Sequence, residues 1–387
     1  MELMYLTFQE DAPLYIGVLR KIQWQAHAFH QLGYRVTYTL WKGTEYRFIT
    51  EDSTKGKNVG SGSGIMHRFA EAAEDYLSRH HFDVLYLRLD RVSFDVLRIC
   101  RLAKRSGTEK IIVEFPNYPY LANYIGSVRG LHPFRRRFAA RMKTLCIAAE
   151  DRLASPCLRR FADAAVLIGN HAESFFGLKA ICVGNGVAVE EFTPVPPKRN
   201  RDEVVLIGVA GTLWWQAYDR VLEGMYLYRN ASPGRKPRLR FLMVGGDAGE
   251  MPAFRAQIRK YGLEDDVECP GFQTGEKLDR LYARADLGVS SLGCYRRGLT
   301  SCSSLKAREY CAKGLPFLYA YEDGLLADKP FAMKLPNDSS PIDMEAVVRF
   351  VKSCRSNPNL AEKERQFARD HYDWKNILKQ VLCFAGI

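Results

Sequence analysis

Short apolar runs alternate with amphipathic helical stretches from the start of the chain to about residue 183. After a proline-rich break, the same alternation begins again. In the first half the strand candidates are Leu3 to Phe8, Tyr34 to Leu40, Val84 to Leu87, Ile111 to Glu114, Ala164 to Ile168 and Ala180 to Val183. Helical patterns lie between them: one opened by Gly17 with Val18, Ile22, Ala26, Phe29 and Leu32 on one face, then Ile65–Ser78, Phe94–Lys104, a long basic stretch from Pro133 to Phe161, and a small helix from about His171. The second half offers strands at Val204–Val209, Leu239–Val244, Val267–Cys269, Leu287–Ser290 and Pro316–Tyr319, with helices near Tyr218–Tyr228, Pro252–Tyr261, Glu276–Arg284 and Ser304–Lys313. Strictly alternating elements of this kind build parallel sheets covered by helices on both faces. The expected class is therefore α/β.

At 387 residues the chain exceeds what one hydrophobic core supports, so two domains are expected. The segment from Glu190 to Asp202, with Pro194, Pro196 and Pro197, is the best linker. Two Rossmann-like domains facing a cleft follow, with ligand at the carboxyl ends of the strands. The formal charge of +12 suggests an anionic partner, whether nucleotide, nucleic acid or anionic membrane. No RRM, KH, helix-turn-helix or zinc-finger signature speaks for nucleic acid. The ten cysteines are scattered, without CxxC or zinc spacing, and no apolar run approaches the ~20 residues of a membrane span. These features lead to the expectation of free thiols in a reducing, cytoplasmic setting.

The stretch Ser303 to Pro316 carries the most chemistry. It reads as a short helix, with paired serines at its start and Gly314 and Pro316 at its end. Glu309 falls on the face of Leu305 and Ala312, and Lys306 faces the same way. Arg296, Arg297 and Gly298 precede the cap. Free helix amides and cations suit phosphates, and an inward acid suits ribose hydroxyls. The competing reading is an ordinary Glu309–Lys313 surface pair, worth well under about 1 kcal/mol.

Five motifs in order then resemble the retaining GT-B glycosyltransferases known as family 4. They are Gly17 at the first helix; Asn185-Gly186-Val187 with Phe192-Thr193-Pro194; Phe241 to Gly246; Pro270-Gly271-Phe272 with Leu281 to Asp286; and Ser304-Leu305-Lys306 through Pro316. The resemblance covers nearly the whole chain. It implies a GT-B fold with an acceptor domain over 1–187, a nucleotide-sugar domain over 188–365, and a terminal helix over 366–387 crossing back to the first. It also implies transfer of a sugar from a nucleotide diphosphate sugar, UDP foremost, to a hydroxyl with retention of configuration. The acceptor implied is a glycan or a lipid-linked saccharide of surface polysaccharide assembly. Donor contacts fall on Gly17, Thr212, Trp215, Gly271, Phe272, Arg296, Ser303, Ser304, Leu305, Lys306 and Glu309, with Glu114 and Lys306 as catalytic candidates. No cofactor is implied. No Asp-x-Asp occurs, so a metal held by that motif is unsupported.

Two positions depart from the family. Ser301 stands where a first acid is usual, and Gln216 where a lysine is expected. Glu114, in a proline-rich turn after a strand, reads equally as a site acid or as a structural one. Arg135, Arg136 and Arg137 interleave with Phe134 and Phe138, the pattern of a helix on anionic lipid or of a solvated basic face. Two rival functions remain: a nucleotide-sugar epimerase of the same fold, and a non-catalytic subunit of a polysaccharide machine.

Overall fold

The computed structural model describes residues 1–12, 15–62, 64–118, 134–169, 172–196, 202–211, 214–231, 236–246 and 249–387, with backbone alone at 134–141. The chain divides into two units, 1–184 with 374–387, and 185–373.

The first unit runs β1 (Glu2–Thr7), α1 (Ile16–Gln31), β2 (Arg35–Lys42), β3 (Glu45–Ile49), β4 (Thr54–Asn58), α2 (Ile65–Arg79), β5 (Val84–Arg88), α3 (Phe94–Arg105), β6 (Lys110–Tyr118), α4 (Phe134–Leu158), β7 (Ala164–Gly169), β8 (Ser174–Phe175) and β9 (Leu178–Val183). Its sheet has the order β4-β3-β2-β1-β5-β6-β7-β9-β8. β1 is buried over Leu3–Thr7, as expected of a strand covered on both faces. The centre is parallel, and the β2/β3, β3/β4 and β8/β9 pairs are antiparallel. α3 begins at Ser93, whose Oγ accepts from the Val96 amide at 3.3 Å, and Asp95 lies in its first turn. The helix expected from about His171 is instead, over the described residues, the β8–β9 hairpin. Phe176 and Gly177, at φ 48° and 81°, make its turn.

The second unit runs β10 (Glu203–Ala210), α5 (Asp219–Asn230), β11 (Arg238–Gly245), α6 (Met251–Tyr261), β12 (Val267–Gly271), α7 (Gly275–Arg284), β13 (Leu287–Val289), α8 (Leu305–Lys313), β14 (Phe317–Tyr319), β15 (Ala332–Lys334), α9 (Met344–Arg355) and α10 (Leu360–His371). The sheet is parallel in the order β12-β11-β10-β13-β14-β15. Counted within the unit this is 3-2-1-4-5-6, the dinucleotide-fold order.

α11 (Trp374–Ala385) packs on α1 and belongs to the first unit. It buries Trp374, Ile377, Leu378, Val381 and Leu382, worth roughly 1.5–3 kcal/mol for each large apolar side chain. Lys110 and Lys179 donate to the carbonyls of Ala385 and Phe384, each at 2.9 Å. The boundaries fall at 184/185 and 373/374 rather than at 187/188 and 365/366. α10 stays with the second unit because it packs on α8, and Arg365 donates to the carbonyls of Phe192 and Ala312.

Candidate functional site

In the second unit the strand order reverses between β10 and β13. Ligands of open α/β sheets bind outside the carboxyl ends of the strands at such a point. β10 leads to a 3-10 turn at Trp214–Gln216, and β13 leads to Ser290 and Ser291. The two loops are tied together. The Leu292 amide donates to the Gln216 carbonyl at 3.2 Å, and Ser291 Oγ donates to Gln216 Oε1 at 3.0 Å. A Cβ on Gly293 would lie 2.2 Å from the Trp215 carbonyl oxygen, so this approach requires glycine. Gln216, where a lysine was expected, is thus a loop clamp.

α8 starts against the same point. Its N-cap residue, Ser304, makes no side-chain cap bond; its hydroxyl meets that of Ser290 at 3.2 Å. Ser303 Oγ accepts from the Asn185 amide at 2.7 Å and from Arg308 Nη2 at 3.3 Å. The paired serines expected to cap the helix are therefore engaged elsewhere. The first-turn amides have no capping side chain, the arrangement that favours an anion. Gly314 closes the helix at φ 63°.

Lys306, half-buried, stands on the first turn beside half-buried Leu305. Burial pushes its ammonium down, while Cys302, Glu309 and Cys294 pull it back up. Half-buried Glu309 lies one turn on and acts electrostatically on Lys306, Tyr310 and Tyr282. Lys313 is tied to Asp279 Oδ1 at 2.7 Å and lies over the Tyr282 ring.

Arg296 is committed to the loop rather than open to a ligand. It donates to the Trp214 carbonyl and to Asp219 Oδ2, both at 2.5 Å. Arg297 carries its guanidinium 5.2 Å from the Trp215 ring centroid. Gly271, at φ 73°, and exposed Phe272 end β12, two strands from β10 and hence about 10 Å away. Ser301 bridges to Glu322, whose carboxylate takes Lys334 at 2.6 Å. Thr212 lies outside the described residues.

Arg308 was not anticipated. It is fully buried and donates to Asp323 Oδ2 at 2.6 Å and to the Asn185 carbonyl at 3.4 Å, under the Tyr372 ring at 4.2 Å. No local pattern announces it, although a charged residue on the buried face of a short helix is a usable signal.

In the first unit Glu114 sits in register beside Arg88, on β6 and β5. Its carboxylate is fully buried. It pairs with Arg88 and, at 3.3 Å, with Lys21, and it accepts from Gln25 Nε2 at 2.6 Å and Tyr86 OH at 2.8 Å. Burial alone would raise this acid. Lys21 and Arg88, with the Gln25 and Tyr86 hydrogen bonds, outweigh it and hold the carboxyl at about 2. Burial pushes the Lys21 ammonium down to about 7 against the pull of Glu114. The expectation of a ligand-facing acid at Glu114 gives way to a buried anchor beneath Arg88. Lys21 and Gln25, one turn apart on α1, are the trace of it in the sequence.

Arg88 lines a cavity of about 420 Å³ with Thr7, Gln9, Arg91, Asp95 and Lys143, at the carboxyl ends of β1 and β5, where this sheet's order reverses. Gly17, in the first turn of α1, has open space around the position of a Cβ. The side chains of Arg135, Arg136 and Arg137 lie outside the described residues. No helix among the described residues is long and apolar enough to cross a membrane.

No protein-family model matches the sequence, and no curated protein matches it. Solved structures do match. Sucrose-phosphate synthase from Thermosynechococcus elongatus superposes with a TM-score of 0.62 at 13% identity, over 98% of this chain and 97% of that one. The catalytic domain of starch synthase IV from Arabidopsis thaliana, bound to ADP and acarbose, gives 0.61 at 11% identity over 100% and 98%. Anabaena HepE in complex with UDP-glucose gives 0.59 at 11% over 100% and 99%. At such identities the likeness concerns architecture: the chain has the GT-B fold, as its resemblance to those glycosyltransferases implied.

Proposed function

We propose that this protein transfers a glycosyl group from a nucleotide diphosphate sugar, a UDP-sugar foremost, to a hydroxyl of a glycan or lipid-linked acceptor, with retention of configuration. The observation that carries the reading is the start of α8 at the strand-order reversal of the second unit. There, first-turn amides without a capping side chain stand beside Lys306, with Glu309 one turn on. The amides and Lys306 receive the diphosphate and stabilise its charge as it leaves. Glu309 receives the ribose hydroxyls, and Trp215, backed by Arg297, flanks the sugar. The neighbours with UDP-glucose and with ADP and acarbose bound lend the reading chemical support. In this account Lys306 touches the departing phosphate. Glu114 is a positioning residue that aims Arg88 at the cavity of the first unit, where the acceptor is received. Neutralisation by amides and cations makes the proposed reaction metal-independent, and the formal charge of +12 supports a proposed place at the inner face of the cell membrane.

The test is incubation with UDP-, GDP- and dTDP-sugars, measuring nucleotide release with and without membrane extract. Release that depends on extract is expected. Solvent isotope entering the donor without acceptor would favour epimerisation. Donor binding without release would favour the non-catalytic reading, which the serine at position 301 supports.

A further inference from the structure

One helix of the first unit keeps an apolar face in water. Along α4, Met142, Leu145 and Leu153 are 46%, 62% and 67% exposed, and Cys146 and Ala149 are exposed between them. At 3.6 residues per turn these five fall within an arc of about 100°, and no charged residue of 142–158 falls inside it. The opposite face holds the helix to the unit, with Asp151, Ala154, Ser155 and Leu158 buried. Lys143 and Arg152, both exposed, stand on the two edges of the apolar arc. From Phe134 to Leu158 the sequence has six basic residues and two acidic ones. Both acids are engaged within the unit: Asp151 Oδ1 accepts from the Val92 amide at 2.7 Å, and Glu150 pairs with Arg91 at 2.6 Å. Exposed Phe94 extends the patch from the start of α3, where its amide donates to Glu150 Oε1 at 3.1 Å.

We propose that this face of α4 docks on a membrane surface rich in anionic phospholipid. The helix lies in the plane of the bilayer. Met142, Leu145 and Leu153 enter the boundary between headgroups and acyl chains, and Lys143 and Arg152 meet the phosphates from either edge. An apolar stripe alone would suit many partners; the basic edges and the engaged acids select this one. Each exposed leucine gains by leaving water, and each cation near the surface adds an attraction that salt screens. The same helix builds part of the cavity beside Arg88, through Lys143 and Ile147 one turn apart, and exposed Met66 lines it too. Docking therefore holds that cavity next to the bilayer, and the acceptor it receives is a lipid-linked saccharide drawn from the same surface. This last step rests on the glycosyltransferase reading; lipid binding itself does not.

The test is flotation of the full chain with vesicles of equimolar phosphatidylglycerol and phosphatidylcholine, against vesicles of phosphatidylcholine alone, with no sugar present. The expected result is binding to the anionic vesicles about tenfold or more tighter than to the neutral ones, falling as salt is raised. Leu145→Glu combined with Leu153→Glu should weaken it by about tenfold or more, and Arg152→Glu by about fivefold or more. These positions are exposed, so thermal unfolding should match the wild type. Leu227→Glu, at an exposed leucine of α5 in the second unit, should leave vesicle binding unchanged. Equal binding to both vesicle types, or anionic binding that survives the double leucine substitution, overturns the proposal. So does a dimer in size-exclusion chromatography that the double substitution dissolves, because a second copy then covers the face. UDP titration of the same proteins separates the two readings. Vesicle binding without UDP binding keeps the docking face and removes the transferase; UDP binding without vesicle binding does the reverse.

Discussion

Arg308 and Asp323 form a buried ion pair, Nη1 to Oδ2 at 2.6 Å, with both side chains almost wholly removed from water. The same guanidinium holds Ser303 and the Asn185 carbonyl. One side chain therefore fixes the loop that enters α8. Arg308→Met leaves Asp323 buried and unpaired, and should cost about 3–5 kcal/mol in thermal or urea unfolding. Arg308→Lys keeps the charge but loses the fork to Ser303, so it should keep more of the stability while still weakening UDP binding. Equal affinity in the lysine variant would remove Arg308 from any role in shaping the loop.

Gly288 brings β13 and α8 together. A Cβ there would sit 2.6 Å from Cδ2 of Tyr310, a ring on the buried face of α8. Gly288→Ala should destabilise by about 1–3 kcal/mol through overpacking and weaken nucleotide binding as α8 shifts. Unchanged unfolding and affinity would show that the ring yields without moving the helix.

Glu114 sets a pH dependence. Its carboxyl is held at about 2 in the fold against an ordinary 4.5, so the native state keeps it ionised where the unfolded chain protonates it. Its stabilisation is present above the unfolded value and is lost as pH falls from about 5 towards 2. Acid titration of thermal stability should show a steeper slope in the wild type than in Glu114→Gln, where the other lowered carboxylates, Asp83 and Glu268 among them, still contribute. At neutral pH that variant should lose about 3–5 kcal/mol, because Lys21 and Arg88 remain buried beside a neutral amide. Adding Lys21→Met should recover part of the loss. A Glu114→Gln protein with wild-type stability at pH 7 would contradict the anchor assignment.

The proposed neutralisation of the diphosphate by Lys306 and helix amides would need no divalent ion. Nucleotide release from a sugar donor should therefore survive excess EDTA, with recovery unaffected by added Mg²⁺ or Mn²⁺. Loss of release in EDTA, restored by either ion, would replace the metal-independent account.

The central parallel strands were legible because strands covered on both faces are continuous apolar runs, as in Val204–Ile207 or Ile111–Val113, whereas β3, β8 and β15 were not read from the sequence. β4, Thr-Lys-Gly-Lys-Asn, was not, since all five of its residues are exposed and an edge strand of that kind has no apolar signature. The α8 element was visible through its glycine and proline stop. The partners that define the site were hidden by distance along the chain. Asn185 reaches Arg308 across 123 positions, and Gln25 reaches Glu114 across 89. A strand-end acid looks the same in sequence whether it meets a ligand or lies under an arginine. Only packing decides between them.

Calorimetric titration of UDP into the wild-type protein and into Lys306→Ala tests the central claim most directly. The account predicts saturable binding by the wild type and a loss of about tenfold or more in the variant, as expected when a charged partner of a phosphate is removed. Equal affinity in the two proteins, with both folded, would contradict a diphosphate site at the start of α8.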